Sequence, residues 1–340
     1  MSVGSMRAAL SVVVPVHNEA AHLPATIDAL TEAVARSGFD AELVLVDDGS
    51  TDGSADVART AVAGRLPLRV VAQPNRGRFE ARRAGLEAAA GEWVLLLDGR
   101  VRLAPDALAF VAERLAAGER VWNGHVRVES HGNPYGAFWE VIAALAWREY
   151  FDDPRTTSFD EAGFDRYPKG TTCFVVPRAL IVDAVEGFRT AYADVRHAND
   201  DTPIIRWIAS QERIHLSPRF SCDYTPRATL RSFARHAFHR GTVFLDGHGR
   251  PESRFFPAVV AFFPVSAVLG VASLRKPALV PALAAATGLA GAALSVSARR
   301  SRFETLSFAA LLPLYAVLHG AGMWRGFGLA AAARARGART

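Results

Sequence analysis

Over the first hundred residues, short uninterrupted apolar runs alternate with amphipathic stretches, and each apolar run stops at a polar or glycine-containing cluster. Residues 11–16 form a β-branched run of the kind expected of a buried strand, and Pro15 with His17-Asn18-Glu19 ends it. A helix is expected to follow, to about Ala35. Residues 42–46 read as a second buried strand, broken at Asp47-Asp48-Gly49-Ser50, and a helix is expected over 54–63. Residues 68–72 form a third strand, Asn75-Arg76-Gly77 a turn, 79–90 a helix, and 93–97 a fourth strand that stops at Asp98. This alternation predicts an α/β domain with a mostly parallel sheet covered by helices, whose ligand lies beyond the carboxyl ends of the strands. Pro15 to Glu19, Asp47-Asp48 and Asp98 all fall there. From about Trp122 to Tyr192 the periodicity is lost among aromatic-rich stretches, and that region is expected to shape one side of the ligand site.

After Arg254 the pattern changes to three uncharged runs, 255–274, 277–298 and 305–324, separated by Arg275-Lys276 and by Arg299-Arg300-Ser301-Arg302. A helix of ~20 residues crosses a ~30 Å hydrocarbon layer, so each run is long enough to span a membrane. Three crossings would put Arg325, Arg334, Arg336 and Arg339 on the side opposite the α/β domain, against the positive-inside tendency. If the first run, interrupted by Pro257 and Pro264, instead lies at the interface or re-enters, two segments cross and the tail returns. Both arrangements stand, and the charge tendency favours the second. The expected organisation is an α/β domain over 1–250, membrane helices over 255–324 and a basic tail over 325–340.

The chain of 340 residues can hold one large α/β domain and an appendage. Its net charge of +5 favours an anionic partner, phosphate or acidic lipid. Nucleic acid is not expected, because there is neither zinc-ligand spacing nor an RNA-recognition signature. Cys173 and Cys222 are far apart and form no CxxC pair, so neither a disulfide framework nor a metal knuckle is indicated. The N-terminal residues run directly into the first strand without a long apolar region, which argues against a secretory signal and for a cytoplasmic α/β domain at the cell membrane.

The segments SVVVPVHNEAAHLPATI, ELVLVDDGSTDGS, NRGRFEARRAG, GEWVLLLDG and GTTCFVVPRAL, in this order, resemble the family 2 glycosyltransferases. The resemblance covers roughly residues 10–245 and implies the GT-A fold, a Rossmann-like sheet with a nucleotide-sugar lying across the strand ends. In that family the first two motifs meet base and ribose, and a DxD-type motif holds a divalent cation, Mg²⁺ or Mn²⁺, on the diphosphate. Asp48, supported by Asp47, is then the acceptor for base or ribose hydrogen bonds, and Glu19, His17 and Pro15 frame the same pocket. Asp47-Asp48-Gly49-Ser50 is also good turn and cap chemistry in its own right. Arg78, in the loop before a helix, is the candidate phosphate ligand, against the reading of a solvated surface arginine.

Asp98 would hold the metal, but the sequence reads Asp98-Gly99-Arg100 and lacks the second carboxylate. Either Asp98 suffices with phosphate and water completing the cation's shell, or Arg100 itself neutralises the diphosphate. Asn199-Asp200-Asp201 resembles the family's ED motif, making Asp200 the expected general base of an inverting transfer and Asp201 its rival. Gly170 and Thr171 are expected on the acceptor or diphosphate side. Arg235, His236 and Arg240 belong to a basic cluster that would close over the leaving diphosphate, attract anionic lipid, or both. The implied function is transfer of a sugar from a nucleotide diphosphate to a polyprenyl-linked or other membrane-delivered acceptor in cell-envelope glycan synthesis. Processive polymer synthesis fits less well, as the sequence has no QxxRW motif. The rival is a non-catalytic GT-A protein that binds nucleotide-sugar or a partner. A Rossmann oxidoreductase is excluded by the missing GxGxxG turn.

Overall fold

The computed structural model describes residues 8–337. Arg339, part of the expected basic tail, lies outside the described residues. In chain order the strands are β1 (Ala9–Val16), β2 (Asp40–Asp48), β3 (Leu68–Gln73), β4 (Trp93–Leu97), β5 (Val101–Leu103), β6 (Val121–Val128), β7 (Thr157–Phe159), β8 (Cys173–Pro177) and β9 (Ile214–Tyr224). The helices are α1 (Leu23–Ser37), α2 (Ser54–Val62), α3 (Arg78–Ala88), α4 (Ala107–Ala116), α5 (Pro134–Ala146), α6 (Arg148–Phe151), α7 (Arg178–Glu186), α8 (Asp201–Gln211), α9 (Leu230–His248), α10 (Phe256–Arg275), α11 (Leu279–Ser297) and α12 (Arg302–Ala335). They form two compact units. One takes the chain up to Arg127, then Asp153–Phe188 and Asp200–Tyr224; the other takes Val128–Asp152, Arg189–Asn199 and the chain from Thr225 on.

The first unit is an α/β/α sandwich around a sheet of order β3-β2-β1-β4-β8-β6-β9-β5, with β7 pairing β9. Strands β3, β2, β1 and β4 run parallel. The pairings of β8 with β4 and β6, and of β9 with β5 and β7, are antiparallel. The expected α/β sheet is therefore present, parallel where the apolar runs were legible and antiparallel in the stretch where they were not. Alternate side chains of each strand enter opposite layers. Val12, Val14, Leu43, Leu45 and Leu95 pack under α1, α2 and α4. Val13, Val44, Val46, Val94 and Leu96 pack under α3, α7 and α8. Because both faces are covered, the strands read as unbroken apolar runs and not as alternating ones. Pro15 falls beyond the last β1–β4 pair, Val13 with Leu96, where a missing N–H is tolerated.

The second unit is helical. Phe138, Val141, Phe233 and Phe308 form its buried centre, joining α5, α9 and α12. Burying such a side chain fully contributes about 1.5–3 kcal/mol. Helices α9 and α12 cross at van der Waals distance: a Cβ on Gly241 would lie 2.0 Å from the His319 carbonyl, and one on Gly322 would lie 2.0 Å from that of Phe238. Only glycine permits that approach. The buried Asp246 of α9 accepts hydrogen bonds from the Ala191 and Asn199 amides at 2.7 and 2.8 Å and from the Thr190 hydroxyl at 2.9 Å, tying the 189–199 segment to this helix. Among the described residues three helices, α10, α11 and α12, are long and apolar enough to cross a membrane. The third apolar run lies inside a helix of 34 residues that continues without a break past Arg325 and Arg334.

Candidate active site

The strand ends predicted from the sequence carry the polar residues of the first unit. Asp48, at the end of β2, is 4% exposed and accepts from Gln73 at 2.7 Å and from the Arg76 and Gly77 amides at 2.8 and 2.9 Å. A buried carboxylate with this many donors fixes the loop between β3 and α3. Gly49 follows it at φ +74°, with the Asn75 amide 2.8 Å from where a Cβ would stand, so that turn requires glycine. Asp47 accepts from the Ser50 amide at 2.8 Å, an Asx turn. His17 Nδ1 lies 2.9 Å from the Asp48 carbonyl, and its ring is exposed above the end of β1. The Glu19 amide donates to Ser54 and the Ala20 amide to Asp52, each at 2.9 Å, which seats the β1–α1 loop on the start of α2.

At the end of β4, the Asp98 amide donates to the Thr172 carbonyl at 3.0 Å, and its carboxylate has a long 3.5 Å contact with Arg82. Arg100 turns back to Glu19, at 2.9 and 2.8 Å from its two oxygens. The Arg100 Nε–H is therefore committed to a neighbouring carboxylate.

The centre of the arrangement is Arg82, on α3 and 5% exposed. Its guanidinium donates to Asp200 at 2.5 Å and to Asp201 at 2.8 Å besides its reach to Asp98. Arg78, one turn earlier and half exposed, donates to the other oxygen of Asp200 at 3.1 Å. Thr171, on the loop entering β8, gives its hydroxyl to Asp201, and the Gly170 amide donates to Asn123 at 3.1 Å. Asp98, Thr171, Asp200, Asp201, Arg78 and Arg82 thus form one connected cluster built from four chain segments. Burial acts to raise the Asp201 carboxyl, but Arg82 and Arg78, with the Thr171 and Arg82 hydrogen bonds, outweigh it and hold the group well below the ordinary carboxylate range. The Asp200 charge is the largest influence holding the Arg78 guanidinium above its usual value, and Asp201 and Asp98 add to it.

Arg82 and Gln73 were not singled out by the sequence motifs. The signal for Arg82 was present: it follows Arg78 by four residues on a helix, which places both on one face. Arg235, His236 and Arg240 lie in the second unit, on α9. There the His236 ring meets Trp139 edge-on at 4.9 Å and the Arg240 guanidinium sits 5.5 Å from the same ring. Cys173 and Cys222, distant in sequence, are buried free thiols within hydrogen-bonding reach of each other, and burial raises the Cys173 thiol.

Among the described residues no group of three or more His, Cys, Asp or Glu side chains is arranged to hold a metal ion. Asp98 offers one partly exposed carboxylate at a strand end, a donor set that suits Mg²⁺ or Mn²⁺ only where phosphate oxygens and water supply the remaining ligands.

The family described as Glycosyl transferase family 2 matches residues 11–177. An undecaprenyl-phosphate 4-deoxy-4-formamido-L-arabinose transferase of Aeromonas hydrophila is 37% identical over 111 residues, 32% of this chain and 34% of that protein. A Pseudomonas aeruginosa protein of the same name is 37% identical over 139 residues, 40% of this chain and 41% of its own. The chain therefore matches these relatives over well under half of their length. Among solved structures, a mannosyltransferase from Pyrobaculum calidifontis in complex with GDP-Man and Mn²⁺ aligns with TM-score 0.53 at 22% identity, covering 93% of this chain and 88% of that one. S. aureus TarS, residues 1–349 with UDP, aligns with TM-score 0.51 at 18% identity, over 96% and 91%. The parallel strands, their polar ends and the comparisons agree: residues 11–177 match glycosyl transferase family 2, within a domain of GT-A fold.

Proposed function

We propose that this membrane-attached chain transfers a sugar from a nucleotide diphosphate to a polyprenyl-type lipid acceptor in cell-envelope glycan synthesis, and that the acceptor's nucleophile is a phosphate oxygen. The observation that carries the reading is the state of Asp200, whose two carboxylate oxygens are both engaged, one by Arg82 and one by Arg78. A hydroxyl acceptor must surrender a proton to a base as it attacks. Both Asp200 oxygens already accept from guanidinium groups and neither is left free for an acceptor hydroxyl, and Asp201 is held strongly ionised in the same cluster. A phosphate monoester needs no such help, since its second ionisation falls near pH ~6. The acceptors named for the Aeromonas and Pseudomonas relatives support the same choice.

On this reading an ionised phosphate oxygen forms a bond to the anomeric carbon while the bond to the donor's diphosphate oxygen breaks, and the electron pair leaves with the nucleoside diphosphate. No proton is removed. The half-exposed Arg78, at the start of α3, would face the charge growing on the diphosphate, where a fixed cation acts most strongly. Asp200 and Asp201 would then position the two arginines, in place of the base role expected from the sequence. The nucleoside would lie over the ends of β1 and β2, beside His17, Glu19 and Asp47, along the loop that Asp48 fixes. A divalent cation, when bound, would screen the diphosphate, and Asp98 is the residue that would hold it. Arg235, His236 and Arg240, in the second unit, would serve anionic lipid.

The test uses full-length protein in lipid nanodiscs with radiolabelled UDP- and GDP-sugars and matched acceptors, polyprenyl phosphate and polyprenol. Label should enter the lipid fraction only with the phosphate. Transfer to polyprenol or a lipid-linked glycan, with none to the phosphate, would restore Asp200 as a base. Nucleotide-sugar binding without transfer to any acceptor would favour a non-catalytic protein.

A further inference from the structure

We infer that the segment from Glu161 to Thr172 is a strap that holds helix α8 in register, and that Arg206 and Lys169 act through it as positioning residues for the Asp200–Asp201 pair. The inference rests on that part of the reading above in which the pair orders the reacting cluster, and it holds for a phosphate or a hydroxyl acceptor alike.

The start of α8 needs a hold from outside the helix. Three carboxylates, Asp98, Asp200 and Asp201, converge on Arg82, and like charges brought this close repel one another. Asp200 is the N-cap residue of α8 and Asp201 its first residue, and the Asp200 side chain makes no capping hydrogen bond. A helix end without such a cap frays readily. Fraying here would turn both acids away from α3.

The strap meets α8 at three points along its length. At the far end of the helix the Glu161 amide donates to the Ala209 carbonyl at 3.1 Å. In the middle one Nη of Arg206 reaches both oxygens of Asp165, at 3.1 and 3.3 Å, and the guanidinium lies 4.2 Å from the centroid of the buried Phe164 ring. At the start of the helix the Thr171 hydroxyl donates to Asp201. The strap thus runs antiparallel to α8, from Ala209 to Asp201. It goes on to Thr172, whose carbonyl receives the Asp98 amide at 3.0 Å. One continuous segment therefore sets the helix that carries Asp201 against the strand end that carries Asp98.

Between these points the strap is stiffened from within. Phe164–Arg166 is a turn of 3₁₀ helix, and the Tyr167 ring stacks on Phe159 at 5.3 Å. Lys169 folds back to donate to the Phe164 and Tyr167 carbonyls, with its ammonium 4.1 Å from the centroid of the same Phe164 ring. A lysine beside a glycine could serve phosphate, but this side chain is 10% exposed and committed to backbone carbonyls inside the strap. The next residue is fixed in turn, since the Gly170 amide donates to the buried Asn123 at 3.1 Å. Thr171, itself 2% exposed, consequently arrives at Asp201 with little freedom.

A double-substitution cycle in the full-length protein in nanodiscs tests this, using whichever acceptor the wild type glycosylates. Arg206→Met keeps an unbranched stem over Phe164 but removes the ion pair, and Thr171→Val keeps the side chain's shape but removes its hydroxyl. Rates are referred to donor-binding sites, so that a partly unfolded sample does not mimic the effect. Each variant should lower kcat about tenfold while the donor's KM stays within about twofold of wild type, because the nucleoside is held elsewhere, at the ends of β1 and β2. Together they should also cost about tenfold, since both act through one hydrogen bond, whereas independent effects would multiply to about a hundredfold. Arg206→Lys should recover most of the rate, because a single nitrogen makes the contact with Asp165 and an ammonium can take its place. If Arg206→Met fails to fold, Asp165→Asn, which removes the charge and keeps the shape, replaces it in the cycle. Multiplying losses, a wild-type kcat in the ion-pair variant, or no recovery with Arg206→Lys would each overturn the strap's role. A wild-type kcat in Asp201→Asn would overturn the reading beneath it, and the strap's role with it.

Discussion

Arg82 illustrates how much of the site's order depends on one side chain. It is buried among Asp98, Asp200 and Asp201, and Asp200 is itself 2% exposed. Removing the cation alone leaves a buried, half-compensated carboxylate, so Arg82→Met should destabilise the protein by about 3–5 kcal/mol in denaturant titrations of detergent-solubilised protein. Arg82→Lys keeps the charge but cannot fork between carboxylates, and should recover only part of the loss. The same cluster sets an acid limit. The folded-state lowering of Asp201 contributes stability that is fully present above the unfolded value of about 3.9 and is lost as the pH falls toward the folded one. Asp201→Asn should therefore melt below the wild type at pH 7, and the gap should narrow below about pH 4. A gap that stays constant to pH 3 would show that the carboxylate's charge contributes nothing there.

At the scale of elements, the α9–α12 crossing gives a sharp test because its tolerance is set by backbone. Gly322→Ala would drive a methyl group into the Phe238 carbonyl and separate the helices, an overpacking cost of about 1–3 kcal/mol. Gly328→Ala on the same helix meets nothing within 4 Å, and should be neutral or slightly stabilising through helix propensity. Melting temperatures of the two variants in detergent would separate them. Which elements were legible in the sequence follows from the same packing logic. Strands β1, β2 and β4 are covered on both faces and so appear as apolar runs, while β3, at the sheet edge, is only partly covered. Strands β5 and β7 have three residues each, too few to show a period. The Trp122–Tyr192 stretch hid α5, which is apolar on most sides because its face meets α12, more than 150 residues away in sequence. The site was legible as motifs at strand ends. What the motifs could not show was that Asp200 and Asp201 are tied to Arg82, since that pairing depends on how α3 and α8 pack on the sheet.

At the scale of the whole molecule, the C-terminal helices are part of the fold and not only an anchor. Deleting residues from 255 onward would uncover Phe138, Val141 and Phe233, all 1% exposed or less. The shortened chain should therefore aggregate or require detergent, to be checked by size-exclusion chromatography of the membrane-free fraction. A soluble monodisperse product would show that α12 is dispensable to its neighbours. The placement of α5 also has a consequence for synthesis. It is made early, between β6 and β7, but its cover is the last helix of the chain. At ~5–20 residues per second, roughly 10–30 s separate the emergence of α5 from that of α12. Throughout that interval the apolar face of α5 lacks its α12 partner, with only α9 available to cover part of it, and helices α10 and α11 are made before that partner arrives. The nascent chain is thus expected to be a chaperone client, held in a partly folded state until its final turn of helix is released.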